Sequence, residues 1–241
     1  MTRLVDLSMP VHPGMLTFPR VPPPDMRIHE TWEEFAERIG AAEHGATWLT
    51  ASYMISQNDH VGTHVDAVKH LRGPDAPGVE GIPLEYCYSD GVVLDFRHKE
   101  SGSRIFPDEI DEALEGIGYT LKERDIVLMH TGAGAYQDEE RYRTDHCGMT
   151  AEATRHLIAH GVRMMGVDAI TFDPPVWAMF EQKHFWEAHL VMMDEDYWHL
   201  ENLTNLDALP SHGFKLCVFP VKWMGTTAAP VRAVAIVDDD E

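Results

Sequence analysis

The stretch DHVGTHVDAVKH, residues 59–70, brings His60, His64, Asp66 and His70 together within twelve positions. Helical spacing would align His60 with His64, but Val61, Gly62, Thr63 and Val65 are poor helix formers, so the segment reads as a turn running into a strand. In extended backbone His64 and Asp66 point to the same side, and a turn at Gly62 swings His60 in beside them. Two imidazoles and a carboxylate then face one point, a donor set that suits a divalent cation and leaves positions open for water or substrate.

Upstream, ATWLTASYMIS (46–56) is rich in β-branched and aromatic residues and contains neither Gly nor Pro. It reads as a strand that delivers the histidines. Trp48 on that strand is the favoured aromatic wall of a substrate pocket. Phe172, Trp177, Trp186 and Trp223 are read as ordinary core. Further apolar runs at 91–96, 125–131, 162–168, 214–221 and 230–237 predict strands buried on both faces. Pro107-Asp108-Glu109 starts a helix that ends near Gly116, Thr150 caps one that runs to Gly161, and 180–193 reads as a third. Six prolines between residues 10 and 25 predict an extended arm. Strands alternating with helices, without repeat or linker, give a single α/β domain over 1–241 with helices covering a mixed sheet. Asp168 and Asp173 end a buried-looking strand, where Asp168 is read as a hydrogen-bonding structural residue.

Forty acidic residues against 19 basic ones give a formal charge of −21. That field repels phosphate backbones and anionic lipid, so neither nucleic acid nor membrane is an expected partner. The opening MTRLVDLSMPVHPGM has no long apolar run with a cleavage site, and a cytoplasmic location is expected. Cys87, Cys147 and Cys217 are too far apart for a metal or redox motif and read as reduced packing thiols. The acidic end, 238–241, reads as a solvated terminus. With a 44% hydrophobic composition, the chain can build its core without a structural metal, which leaves any metal free for function.

The pattern HxGTHxDxxxH is similar to the signature of the cyclase family of metal-dependent hydrolases, which includes bacterial kynurenine formamidase and isatin hydrolase. His60, Gly62, Thr63, His64, Asp66, Ala67 and His70 sit where that motif has them, while Val68 stands where the family usually has Pro and Asp59 where it often has Glu. The similarity extends to LVDLSMPV near the start, ENLTNLDAL (201–209) and the closing PVRAVAIV. The resemblance implies a swivelling β/β/α domain and homodimers or higher assemblies, for which the proline-rich arm offers a means of reaching a neighbour. It makes His60, His64 and Asp66 primary ligands of zinc or manganese and His70 the acid or base. His189 and Glu201, 12 positions apart and followed by Asn202 and Leu203, become ligands of a second metal or outer-shell supports, with His184 and His199 as nearby competitors. The implied substrates are N-formyl aryl amides, cyclic amides or lactones, and the chain's length and Glu-Asn-Leu run place it nearer the isatin hydrolase side.

Two other readings use the same residues. His64-x-Asp66 is half of a two-histidine, one-carboxylate iron site of an oxygenase, with His212 and Arg232 as distant ligand and cosubstrate clamp. A non-catalytic metal-binding module would use the cluster without turnover.

Overall fold

The computed structural model describes residues 1–238; of the acidic end, only Asp238 lies within the described residues. The strands are β1 (Thr2–Asp6), β2 (Asp25–Glu30), β3 (Ser52–Ser56), β4 (His64–Asp66), β5 (Tyr88–Asp95), β6 (Arg104–Ile105), β7 (Ile126–His130), β8 (Gly148–Met149), β9 (Met164–Val167), β10 (Trp198–Glu201), β11 (Phe214–Cys217), β12 (Ala228–Pro230) and β13 (Val234–Asp238). The α-helices are α1 (Trp32–Arg38), α2 (Lys69–Arg72), α3 (Pro107–Gly116), α4 (Ala151–Ala159), α5 (Val176–Gln182) and α6 (Glu187–Leu190).

Nine strands form one mixed sheet in the order β1-β13-β11-β5-β7-β9-β10-β4-β12. The centre, β5-β7-β9-β10, is parallel, and antiparallel strands extend it on both sides. The sheet curls until the chain after β1 meets the end of β10, where Ser8 bridges to Leu203 and the Thr204 amide donates to the Leu7 carbonyl at 3.0 Å. Successive residues of a strand face opposite sides. Thus Val127 and Met129 join the layer under α3 and α4, while Ile126 and Leu128 point into the hollow of the curl with Val65, Leu200 and Ala235. Both faces are dry, which is why the parallel strands read as continuous apolar runs.

The helix expected at Pro107 spans Pro107–Gly116, and Thr150 caps α4 through its hydroxyl, which accepts from the Ala153 amide at 3.1 Å. Two expectations need correction. The segment 180–193 is not one helix: Lys183 (φ 61°) and Trp186 (φ 47°) adopt left-handed backbone, which ends α5 and re-aims the chain into α6. Residues 46–51 are not strand; β3 starts at Ser52 and pairs only with β2, in a two-stranded ribbon whose residues are mostly exposed. The proline-rich arm packs on its own chain, with Met9 and Met15 burying Val61.

Candidate metal centre

β4 lies between β10 and β12, and its register decides the site. Asp66 is directly opposite His199, Val65 opposite Leu200, and His64 opposite Glu201. Cross-strand partners share a face, so His64, Asp66, His199 and Glu201 point one way while Val65 and Leu200 point into the curled core. Gly62, at φ +72°, turns the chain so that His60 enters from the side, and the four-residue helix α2 carries His70 over the same point. His189 comes from α6.

The distances are those of a ligand cluster. Asp66 Oδ1 lies 3.0 Å from His60 Nδ1 and 3.2 Å from His64 Nε2. Asp66 Oδ2 lies 3.7 Å from His189 Nε2, 3.6 Å from His199 Nε2 and 3.8 Å from His70 Nε2. Glu201 Oε1 is 3.4 Å from His189 Nε2, and Oε2 is 3.6 Å from His64 Nε2. Thus the structure brings His60, His64, His70, His189 and His199 around the Asp66 carboxylate, with Glu201 beside His64, His189 and His199.

The far nitrogens of three rings are tied down. His64 Nδ1 donates to the Gly62 carbonyl at 2.8 Å, and His189 Nδ1 to Asp173 Oδ2 at 2.5 Å. His60 Nε2 donates to Thr227 Oγ1 at 3.0 Å, whose own hydroxyl donates to Asp59 Oδ2 at 2.8 Å. In these tautomers the near nitrogens offer lone pairs inward, as ligand histidines do when an outer acceptor fixes them. Of the nine buried side-chain polar atoms without a hydrogen-bond partner among the described residues, five belong to His64, Asp66 and His199. Buried polar atoms are costly to leave unpaired, and a divalent cation would satisfy those of this donor set that face inward.

Electrostatics point the same way. Burial alone would push the His60 imidazole down, but Asp66, with Asp59 and Glu201, outweighs it and holds the ring at about 9. Burial is likewise outweighed at His189, where Asp173, Glu201 and Asp66 raise it to about 9. His70 goes the other way: burial, opposed by Asp66 and reinforced by the charges of His60 and His189, lowers it to about 4. No hydrogen bond fixes the His70 ring among the described residues.

The centre forms the floor of a cleft of about 670 Å³. Its walls include Leu16, Phe18 and Val21 from the arm, Ile170, and Phe185 and Trp186 from the strained turn between α5 and α6. Trp48 lies outside the cleft, 63% exposed, with its ring 5.4 Å from Trp32, because the strand expected to carry it inward starts four residues later. Trp186 takes the lining role instead, while Phe172 is buried beneath the site. His212 rests against Tyr119 and Arg232 pairs with Asp6, so neither reaches His64 and Asp66. His184 pairs with Glu187. Asp168 accepts from the amides of Thr131 and Gly132 and from the Thr131 hydroxyl, the structural role expected of it. Sequence reading passed over Thr227, and it named Asp173 and the arm without giving the first its hold on His189 or the second its place in the cleft. The alternation His199-x-Glu201, matching His64-x-Asp66, was the signal that could have promoted His199.

A family model described as "Putative cyclase" matches residues 5–174. Kynurenine formamidase from Sphingopyxis alaskensis is 27% identical over 237 residues, covering 97% of this chain and 98% of that protein. Isatin hydrolase A from Labrenzia aggregata bound to benzyl benzoate superposes with a TM-score of 0.82 at 25% identity over 99% of this chain and 94% of that chain. Isatin hydrolase A from Ralstonia solanacearum gives a TM-score of 0.82 at 24% identity, over 98% and 92% of the two chains.

Proposed function

Because this chain belongs to the cyclase family, we propose that it is a metal-dependent hydrolase that cleaves the C–N bond of a cyclic amide or an N-formyl aryl amide. His60 Nδ1, His64 Nε2 and Asp66 Oδ1 would hold one divalent cation, zinc or manganese. The second oxygen of Asp66, with His189 and Glu201, would hold another. The observation that carries this reading is the coincidence of unpartnered buried donor atoms with imidazoles whose outer nitrogens are already engaged. When bound, the cation supplies a Lewis acid that polarises the substrate carbonyl and lowers the pKa of water towards ~7.

The chain's own residues do the rest. Asp59 and Thr227 keep the His60 ring in the tautomer that presents Nδ1, and Asp173 does the same for His189. His70 Nε2, untethered and neutral at pH 7, accepts a proton from the attacking water as its oxygen bonds to the carbonyl carbon. The same nitrogen returns that proton to the leaving amine as the C–N bond breaks, a step worth ~10² to 10⁴ in rate. Phe18, Phe185 and Trp186 form walls suited to an aryl ring and keep bulk water off the reacting carbonyl. The net charge of −21 supports a small-molecule substrate over nucleic-acid or anionic-membrane partners.

Metal analysis followed by a hydrolysis screen over aryl formamides, isatins, cyclic imides and lactones tests this reading. Turnover should vanish on chelation, return with Zn²⁺ or Mn²⁺, and proceed without oxygen or a keto acid. Full turnover by metal-free protein would sink it, and exclusive lactone cleavage would correct the substrate class.

Assembly belongs to the same proposal. The β2–β3 ribbon exposes Ile28, Tyr53, Met54 and Ile55, and a two-stranded ribbon with that much bare apolar surface is marginal alone. It supports a homodimer or higher homo-oligomer, which light scattering on the purified protein checks.

A further inference from the structure

We propose that His199 is a ligand of the second cation, closing that position from the side away from the cleft. The inference rests on the two-cation reading above and adds a residue to it. His199 is fully buried and lies directly opposite Asp66 in the β10–β4 pairing. Its ring stacks on Phe172 at 4.6 Å with an interplanar angle of 6°, which fixes the direction of Nε2. That nitrogen lies 3.6 Å from Asp66 Oδ2 and 3.5 Å from Glu201 Oε1, and neither ring nitrogen has a hydrogen-bond partner. A buried imidazole without partners is costly, so the position of this ring calls for something between it and the two carboxylates.

Asp66 Oδ2, His189 Nε2, Glu201 Oε1 and His199 Nε2 surround one point, with neighbouring separations of 3.7, 3.4, 3.5 and 3.6 Å in that order around the ring. Two ligands held at tetrahedral angles, each ~2.0 to 2.1 Å from one ion, stand ~3.3 Å apart. Asp66, His189 and His199 each offer an atom within 4.8 Å of the other two, so these three close on one ion, and Glu201 Oε1 completes the set from beside the two imidazoles. Their chemistry, two imidazoles and two carboxylates, favours a transition ion over Mg²⁺ or Ca²⁺.

The two positions then differ in kind. The first has three protein ligands, and two of them, His60 and Asp66, line the cleft, which leaves room for exchangeable water and substrate. At the second, Asp66, His189 and Glu201 line the cleft but His199 lies behind it, so four protein ligands enclose the ion. The second cation is accordingly the slowly exchanging one and the first the exchangeable one.

The test loads the full-length protein with Mn²⁺, removes the excess, and reads metal content and the electron paramagnetic resonance spectrum. Two ions ~3.5 to 4 Å apart couple magnetically. Wild type should hold two Mn²⁺ per chain with a coupled spectrum. His199→Phe keeps the stack on Phe172 but removes both nitrogens. It should hold one ion with the spectrum of isolated Mn²⁺, its second affinity falling by more than the ~10- to 100-fold that an outer-shell loss costs. His199→Gln repeats the measurement should the Phe variant fold poorly, with circular dichroism as the check. If wild type and both variants each hold two ions with affinities within that range, His199 is not a ligand and the two-cation reading stands. If wild type binds a single ion, the two-cation reading falls and the His199 assignment with it.

Discussion

His70 and His64 both face the Asp66 carboxylate, at 3.8 and 3.2 Å, and sort into different roles by what holds them. His64 is 1% exposed, tied at Nδ1 to the Gly62 carbonyl, and aimed at Asp66; His70 is exposed to the cleft, untied, and held neutral by its surroundings. A proton carrier needs a ring nitrogen that faces the reacting atoms and is not committed to a cation, which His70 Nε2 offers and His64 Nε2 does not. His70→Ala is therefore expected to keep its metal and lose turnover by ~10² or more. His64→Ala should lose the first cation itself, and metal analysis beside steady-state kinetics separates the two outcomes. The metal-free protein should carry a second signature. His60 and His189 sit at about 9 when folded, above the usual imidazole value of ~6.5, so between those limits the folded state binds protons that the unfolded state has released. Their contribution is complete below ~6.5 and is lost as pH rises through about 9, so the metal-free protein should unfold more easily at pH 9 than at pH 7. Urea titrations at the two pH values that gave equal stability would contradict this.

The turn at Gly62 converts a linear motif into a site. Its φ of +72° suits glycine, and a Cβ there would stand 2.7 Å from Val11 Cγ2 of the arm. Gly62→Ala should cost about 1 to 2 kcal/mol from the backbone alone and push His60 off the cation. A lower melting temperature together with weaker metal binding is the expected pair of results, and unchanged metal affinity would show that His60 is placed by something else. This turn was legible in the sequence because its neighbours resist helix, and the same-side placement of His64 and Asp66 followed from strand alternation. The five long apolar runs, the Pro107 start and the Thr150 cap were legible for similar local reasons. What stayed hidden depends on pairing across the chain. His199 joins the cluster only because β10 takes β4 as a neighbour in one register, and a one-residue slip would have buried it in the opposite core. The break between α5 and α6 was hidden too, since Lys183 and Trp186 carry no sequence mark of left-handed backbone. Trp48 was misjudged because β-branched and aromatic character also describes an exposed apolar segment.

At the scale of the whole molecule, two dry cores flank the sheet and the arm supplies a roof to the cleft over the metal centre. Burial raises the Cys87 thiol to about 11 and Cys147 to about 12, while Cys217 is half-buried. The thiolate is the reactive form, so a thiol reagent should label native protein at Cys217 and reach the other two only after unfolding. Labelling of Cys147 in native protein at a matching rate would mean that its core opens. The arm makes the more demanding prediction. Leu16, Phe18 and Val21 line the cleft, yet this stretch has no strand partner. Its hold on the body there includes the hydrogen bond from Arg143 Nε to the Thr17 carbonyl, at 2.9 Å. Within the arm, Thr17 Oγ1 donates to the Val21 carbonyl at 2.6 Å and the Val21 amide to the Phe18 carbonyl at 2.9 Å, which closes the turn on itself. Arg143 does not line the cleft, and removing it loosens the roof without disturbing the cations or His70. Walls that contact substrate equally in the ground and transition states set KM and leave kcat alone. Arg143→Ala should therefore raise KM several-fold for an aryl substrate and hold kcat within about two-fold, with metal content unchanged. A fall in kcat at constant KM would mean that the arm acts on the chemistry itself, through Val61 and the neighbouring His60, and that roof and metal centre are one mechanical unit.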